Sequence, residues 1–344
     1  MVHARRATRL PPSNLVAAMA KKHKKSGLVV GVDLGGTNMT VGVVDREHKI
    51  IACVKRKTKA ALGLDGVIER IVESIGRACN EAGVTIDKID SVGIGAPSAI
   101  DFDEGLVINA GNLGWKQVPL RAILQKRLDR PVVIENDVNA AIWAEAKLGS
   151  AKNWGDVLAI WVGTGIGGGL ILNGEVYRGA FHTAGEIGQM ILFPRCSPGR
   201  RTLEEHCSRH SMVRAMETIV GFYPQSKIRA ALAARADDGM IGSSAIAECY
   251  GAGDELVVRV VDDSAELLGM AIANAVTLLS VEAVVVGGGV VEALGKKYVT
   301  RVREAFEWHV FPSTLKKCHL VASELGDSAG VLGAALLARS VTAR

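Results

Sequence analysis

No apolar run in this chain approaches the roughly 20 residues that a membrane-spanning helix needs. Aromatic residues make up only 4% of the 344 positions, whereas glycine occurs 39 times and hydrophobic residues reach 48%. Such a composition belongs to globular α/β proteins and excludes fibrous and disordered classes. Acidic residues are missing altogether from the first 26 positions, which are rich in Arg, Lys and His, so the formal charge of +5 sits in a tail and the body is near neutral. This fits a solvated, poorly ordered extension, or an Arg-rich, acid-poor organelle-targeting segment. No continuous apolar core follows the charges, which argues against a secretory signal, and the tail is too short for a separate DNA-binding domain. The six cysteines, Cys53, Cys79, Cys196, Cys207, Cys249 and Cys318, form no regular framework, which favours reduced thiols and a cytoplasmic setting.

What the chain does have is one kind of segment twice. LVVGVDLGGTNMTVGVVD, Leu28 to Asp45, and VLAIWVGTGIGGGLILNG, Val157 to Gly174, each read apolar strand, glycine-rich turn, apolar strand. Turns built of glycine let backbone N–H groups crowd around an anion, because positive φ and close approach cost little without a Cβ. Two such turns suit the clasping of one polyphosphate, and a third, Gly287, Gly288 and Gly289 after the strand AVVV, suits the base and sugar of a nucleotide. The pattern predicts a phosphotransferase acting with ATP. By the usual prior of roughly 100–200 residues per domain, the length predicts two domains.

Along the chain, Leu28 to Val44 is predicted to be a hairpin, with the charged strand from His48 beside it. GVIERIVESIGRACNEAG has apolar residues at helical spacing. SVGIGAP is a buried strand, followed by a polar, turn-rich stretch through Pro97, Ser98, Asp101, Asn109 and Asn112 at its carboxyl end, where open α/β sheets bind ligands. PLRAILQKRL reads as a helix, and PVVIEND as a strand passing into the helix NAAIWAEAKLG through Asn136 and Asp137. Beyond the second hairpin lie a polar segment from Tyr177 to His210, a long helical region, the strand VEAVVVGGGVV, another helix, the strand HLVASEL and a last helix predicted to pack on the first lobe.

Phosphoryl transfer to a hydroxyl needs a positioned metal–nucleotide and a base for the hydroxyl proton. Asp33, beside Gly35, Gly36, Thr37 and Asn38, is placed to bind magnesium or a magnesium-bound water; an Asx turn would also explain it. Asp137, between a buried strand and a helix, is the candidate base, although an N-cap role alone accounts for its place. Asn caps about as well as Asp and cannot act as a base, so Asp137→Asn separates the two roles. Gly163, Gly165 and Gly168 match G-x-G-x-x-G, but a strand follows where the dinucleotide fingerprint requires a helix. Walker A is also absent, since Gly289 and Gly295 stand one residue too far apart and Lys297 follows Lys296. Asn112, Asn136 and Glu186 are suited to sugar hydroxyls or, singly, to stabilising turns. Cys196, His206, Cys207 and His210 lack the paired spacing of a zinc site.

These residues resemble the ROK family of sugar kinases and related repressors, within the actin-like ATPase superfamily. The resemblance runs from about Leu28 to the C-terminus, through DLGGTNMTVGVVD, GNLGW, IENDVNAA, WVGTGIGGGLILNGEVYRGA, AGEIG, VVVGGGV and LGDSAGVLGAA in order. It implies a two-domain, ribonuclease H-like α/β fold with a cleft between lobes. The small domain would comprise residues 27–135 with 328–344, and the large one residues 136–327. It further implies ATP-dependent phosphorylation of a hexose hydroxyl, the 6-hydroxyl of glucose or a related sugar. Asp137 would be general base, and Asn112, Asn136, Glu186 and Gln189 would contact the sugar. Asp33, Gly35, Gly36, Thr37, Asn38, Gly163, Thr164, Gly165, Gly287, Gly288 and Gly289 would line the nucleotide, with magnesium carried to Asp33 on it. A homodimer is implied, and neither nucleic acid nor membrane as a partner, because the basic tail is shorter than the winged helix of the repressors. A sugar-sensing regulator with weak or no catalysis is the alternative. Where the family reads GEIGH and then a C-x-C-G-x-x-G-C cluster, this chain has Gln189 and RCSPGRRTLEEHCS. Gln is a poor zinc ligand, so no zinc is expected.

Overall fold

The computed structural model describes residues 26–234 and 241–342; the basic tail expectation lies outside the described residues, apart from Ser26. The chain forms two compact units, one from the described parts of Met1–Ala144 and Ser328–Arg344, the other from Glu145–Asp327.

In the first unit the glycine-turn hairpin is present as β1 (Leu28–Leu34) and β2 (Asn38–Val44), and the charged strand follows as β3 (Ile50–Lys57). Helix α1 (Gly63–Glu81) buries Ile68, Ile71 and Ile75, the positions marked by helical spacing, against Val32, Val41 and Val43 of the hairpin. Strand β4 (Ile89–Ala96) and, further on, β8 (Val132–Asn136) complete a five-stranded sheet in the order β3-β2-β1-β4-β8. β1, β4 and β8 run parallel, while β2 and β3 are antiparallel. Between β4 and β8 the expected turn-rich stretch is instead a small antiparallel sheet of β5 (Ala99–Asp101), β6 (Leu106–Ala110) and β7 (Trp115–Val118). Its strands are three to five residues long. Ile100, Val107, Ala110, Trp115 and Val118 are buried, and this scattered apolar set was enough to form a sheet without a readable alternation. Helix α2 (Leu120–Leu128) then leads to β8, and α3 (Asp137–Leu148) follows it with no intervening residue.

The second unit repeats the first sheet. β9 (Val157–Val162), β10 (Ile166–Leu172) and the short β11 (Glu175–Val176) form an antiparallel meander, and β12 (Ala283–Gly287) and β13 (His319–Ala322) extend it in parallel, in the order β11-β10-β9-β12-β13. The duplicated motif in the sequence is thus a duplicated sheet. Between β11 and β12 come α4 (Glu204–Cys207), α5 (Arg209–Ile219), α6 (Ile228–Ala233), α7 (Ser243–Gly251) and the long α8 (Glu255–Leu279), which is N-capped by Asp254 accepting from the Val257 amide. α9 (Gly289–His309) departs from helical geometry at Gly295, φ 65° and ψ −154°. Leu268, Ile272, Val284, Val286, Tyr298 and Phe306 belong to one core, each large aliphatic residue contributing about 1.5–3 kcal/mol on burial.

The last helix, α10 (Ala329–Thr342), returns to the first unit as the sequence predicts. It lies so close to the sheet that a Cβ on Gly31 would stand 2.0 Å from the Val331 carbonyl oxygen, and one on Gly93 1.9 Å from that of Ala334. Glycine in β1 and β4 is what admits the helix backbone.

Candidate active site

Sheet register sets the first unit's site. Asp33 of β1 stands opposite Gly95 of β4, and Gly95 and Ala96 stand opposite Glu135 and Asn136 of β8. Asp33, Asn136 and Asp137 therefore occupy the carboxyl ends of parallel strands in one sheet, each strand about 4.8 Å from the next. The turn after Asp33 is closed by the Gly35 amide donating to the Asn38 carbonyl at 2.9 Å, and the Thr58 hydroxyl donates to the Gly35 carbonyl at 2.6 Å. Asn112, at the end of the small sheet, lies on this turn: its Nδ2 is 2.8 Å from where a Cβ on Gly36 would be. A Cβ on Gly330 of α10 would stand 2.7 Å from Cγ of Asp33, so the closing helix seats that carboxylate with a glycine.

The β8–α3 junction divides its labour between two neighbours. Asn136 caps the helix, its Oδ1 accepting from the Asn139 amide at 2.9 Å while its Nδ2 donates to the Ser98 carbonyl at 3.1 Å. The buried Glu135 accepts from the Asn136 amide at 2.9 Å and from Asn139 Nδ2 at 3.2 Å. Asp137 is the first helical residue; its Oδ1 accepts from the Val138 amide at 2.9 Å, and its main chain passes over Gly95, whose Cβ would be 3.3 Å from the Asp137 Cα. The cap that the sequence left open for Asp137 is made by Asn136. Asp137 itself is half-buried.

In the second unit the β9–β10 turn is held by the Gly163 amide donating to Gly165 and the Arg209 amide donating to Gly163, both at 2.9 Å. Glu204 ties this turn to the loop bearing Glu186: its carboxylate accepts from the Ile166 amide at 2.7 Å and from Gln189 Nε2 at 3.4 Å. Gly188 lies against the Ile166 carbonyl, its Cβ position 2.2 Å away, so the loop rests directly on β10. Part of Glu186 reaches solvent, yet its carboxyl is pushed above the ordinary glutamate value, first by desolvation and then by the neighbouring Glu204 charge. Gly287 pairs with Trp161 at the adjacent strand end, and Gly288, at φ 89°, sits over Val162. Next to it is a cavity of about 390 Å³ whose lining includes Val286, Val291, Glu292, Gly295 and Lys296. The residues that resembled zinc ligands have other partners: His206 Nε2 lies 2.9 Å from the Arg200 carbonyl, His210 pairs with Arg214, and the buried Cys207 thiol, pushed up to about 12, donates to the Ser264 carbonyl. Among the described residues, no group of three or more His, Cys, Asp and Glu is placed to hold a metal ion.

Residues 29–341 match the ROK family. This chain belongs to the ROK family. It is 33% identical to a glucokinase of Streptomyces coelicolor over 319 residues, covering 91% of this chain and 98% of that one. It is also 30% identical to a putative xylose repressor of a Caldicellulosiruptor species, covering 90% of this chain and 78% of the repressor. Among solved structures, that of a ROK glucokinase from Streptomyces griseus in complex with glucose and AMPPNP superimposes with a TM-score of 0.81, at 31% identity and over 91% of this chain and all of the other. The α/β fold of the actin-like ATPases, expected from the motifs, is the fold of this ROK chain.

Sequence reasoning missed Glu204 and Arg209. Both lie in a polar segment with several charged neighbours, and only the folded turn singles them out.

Proposed function

We propose that this ROK chain is an ATP-dependent sugar kinase that phosphorylates a hexose hydroxyl, the 6-hydroxyl of glucose or a close relative. The observation carrying the proposal is the placement of Asp33 with its glycine turn, and of Asp137, at the carboxyl ends of β1 and β8, two strands of one sheet with β4 between them, in a chain akin to glucokinases. Asp137 accepts the proton of the sugar hydroxyl as that oxygen bonds to the γ-phosphorus, and the bond from phosphorus to the β–γ bridging oxygen breaks to release ADP. A half-buried carboxylate beside the attacking oxygen is worth typically 10²- to 10⁴-fold in rate. Asn112, Asn136, Glu186 and Gln189 are the proposed hydrogen-bond partners of the sugar. Gly35, Gly36, Thr37 and Asn38, with Gly163, Thr164 and Gly165, offer backbone N–H groups and hydroxyls to the phosphates. Gly287, Gly288 and Gly289 with the adjoining cavity, walled in part by Val286, Val291 and Val299, suit the adenosine.

Asp33, an oxygen donor seated by Gly330, fits the magnesium of the nucleotide, which when bound draws charge from the transferring phosphoryl group. The amide of Gln189, donating to Glu204, supports a loop that works without zinc. No described helix is long and apolar enough to cross a membrane. The six free cysteines suit the reducing, cytoplasmic setting of this proposal. Exposed Leu278, Trp308 and Phe311, with the Phe311 amide on Thr277, give the second unit an apolar surface suited to a homodimer. A sugar-responsive regulator remains the second reading, favoured by Gln189 and by the likeness to a repressor; nucleic acid and membrane are outside the proposal.

The test is ADP release from Mg-ATP over a panel of glucose, mannose, fructose, N-acetylglucosamine, N-acetylmannosamine and allose, beside calorimetry of sugar binding. Turnover with one sugar supports the kinase and names its substrate. Sugar affinity without turnover overturns it in favour of the regulator.

A further inference from the structure

We infer that Arg209 is a phosphate-contacting residue of the β9–β10 turn, an added cation for a ligand carrying two or three linked phosphates. The inference rests on the kinase reading for the turn's role and adds a residue that neither the glycine motifs nor the sugar loop contains. Three observations place it. The Arg209 amide donates to the Gly163 carbonyl at 2.9 Å, which fixes the residue to the turn through its backbone. Its Nη2 donates to Thr164 Oγ1 at 2.7 Å, and because that hydroxyl is accepting, its own proton is directed elsewhere. Thr164 is exposed, so a phosphate oxygen can take that proton. Finally, Arg209 Nε is buried with no hydrogen-bond partner, and among the described residues no carboxylate forms an ion pair with the guanidinium. Glu204, whose carboxylate is bound to this turn, is committed to the Ile166 amide and to Gln189.

Burial lowers the guanidinium's pKa without any neighbouring acid to offset it. An arginine held at a glycine turn in this way lacks a counter-charge, and the planar fork that bonds Thr164 has further N–H groups for an anion. The chemistry is shared by the terminal phosphates of a nucleoside triphosphate and by inorganic polyphosphate, so the probes must separate the two.

Calorimetry of the full chain with a non-hydrolysable ATP analogue, ADP, AMP and inorganic tripolyphosphate, at low and high salt, supplies the test. Arg209→Gln keeps a donor for Thr164 and the backbone bond while removing the charge. It is expected to weaken the ATP analogue and tripolyphosphate by about 10- to 100-fold, the worth of a charged hydrogen bond, to leave AMP unchanged, and to flatten the salt dependence. Tripolyphosphate binding as tight as the analogue's assigns the contact to the phosphates alone; much tighter analogue binding assigns it to the nucleotide, and Arg209 dependence of either supports the inference. Equal affinity of wild type and variant for both ligands overturns it, as does an equal loss for AMP or a wild type that binds neither. Should Arg209→Gln fail to fold, Arg209→Lys carries the test, because one ammonium lacks the fork and should still weaken tripolyphosphate relative to AMP; unchanged affinity overturns the inference. Failure of sugar turnover with Arg209-dependent tripolyphosphate binding intact would refute the kinase reading and leave this inference standing.

Discussion

Replacing Asn136 and Asp137 one at a time separates a residue that holds the site from one that works in it. Asn136→Ala removes the cap bond to the Asn139 amide and the bond to the Ser98 carbonyl. A lost cap costs about 1 kcal/mol and a second hydrogen bond about 0.5–1.5 kcal/mol. The sum, about 1.5–2.5 kcal/mol, lowers the melting temperature by about 3–10 °C for a unit of this size. Asp137→Asn keeps an oxygen for the Val138 amide and gives up the charge at the helix N-terminus, about 0.3–1 kcal/mol, or about 1–4 °C. The catalytic consequences run the other way. Loss of the proton acceptor in Asp137→Asn should lower kcat by about 10²- to 10⁴-fold, whereas Asn136→Ala should act mainly through sugar KM and stability. Thermal melts followed by circular dichroism, paired with coupled ADP-release kinetics, read both effects. If Asp137→Asn melts as low as Asn136→Ala, or keeps kcat within a few-fold of wild type, the division of roles is wrong.

Gly330→Ala pushes a methyl against Asp33, 2.7 Å from Cγ; a displacement of about 1 Å costs on the order of 100-fold, so kcat/KM for Mg-ATP should fall by that order, and unchanged kinetics with Mg-ATP would sink the role given to Asp33. Glu186→Gln should raise sugar KM while stabilising the fold at neutral pH, because desolvation and Glu204 raise the folded pKa of Glu186 and so disfavour its charged form. That penalty is lifted as pH falls through the raised folded value and is gone below the unfolded glutamate value, about 4.3, so the difference in melting temperature should shrink across that window; a variant less stable than wild type at pH 7 contradicts the sign. Glu145, fully buried, accepts from Ser323 Oγ at 2.6 Å, the Leu325 amide at 2.9 Å, and the Ser150 amide and hydroxyl at 2.7 and 3.0 Å. Glu145→Gln turns a donor toward donors and should cost about 1–3 kcal/mol, read as a lower urea midpoint, and an unmoved midpoint refutes the accounting.

Much of this architecture was legible because its physics is local. Apolar strands on either side of Gly35–Gly36 and Gly163–Gly165 announce hairpins, and Ile68, Ile71 and Ile75 announce α1. The β8–α3 junction was also visible, but not which neighbour caps it. Asn and Asp are nearly equivalent as caps, and only the observed bond from Asn139 chooses Asn136. The β5–β7 sheet escaped because strands of three to five residues show too little alternation to set them apart from turns. Asp33, Asp137 and the glycine turns could be proposed from residue type and spacing. Glu204 and Arg209 act on the β9–β10 turn from about 40 residues away, a proximity that the fold alone creates.

The two units differ in how the ribosome delivers them. The second is one unbroken stretch, Glu145–Asp327, whereas the first is finished by α10, which arrives after everything else. Until those residues emerge, Gly31 and Gly93 have no helix laid over them, and the floor under Asp33 at Gly330 does not exist. Domains tend to fold as units in order of synthesis, so here the later unit closes first and the earlier one waits. The candidate phosphate turn beside Asp33 is therefore assembled last, and a chain cut short before Ser328 would carry the second turn complete and the first without its backing.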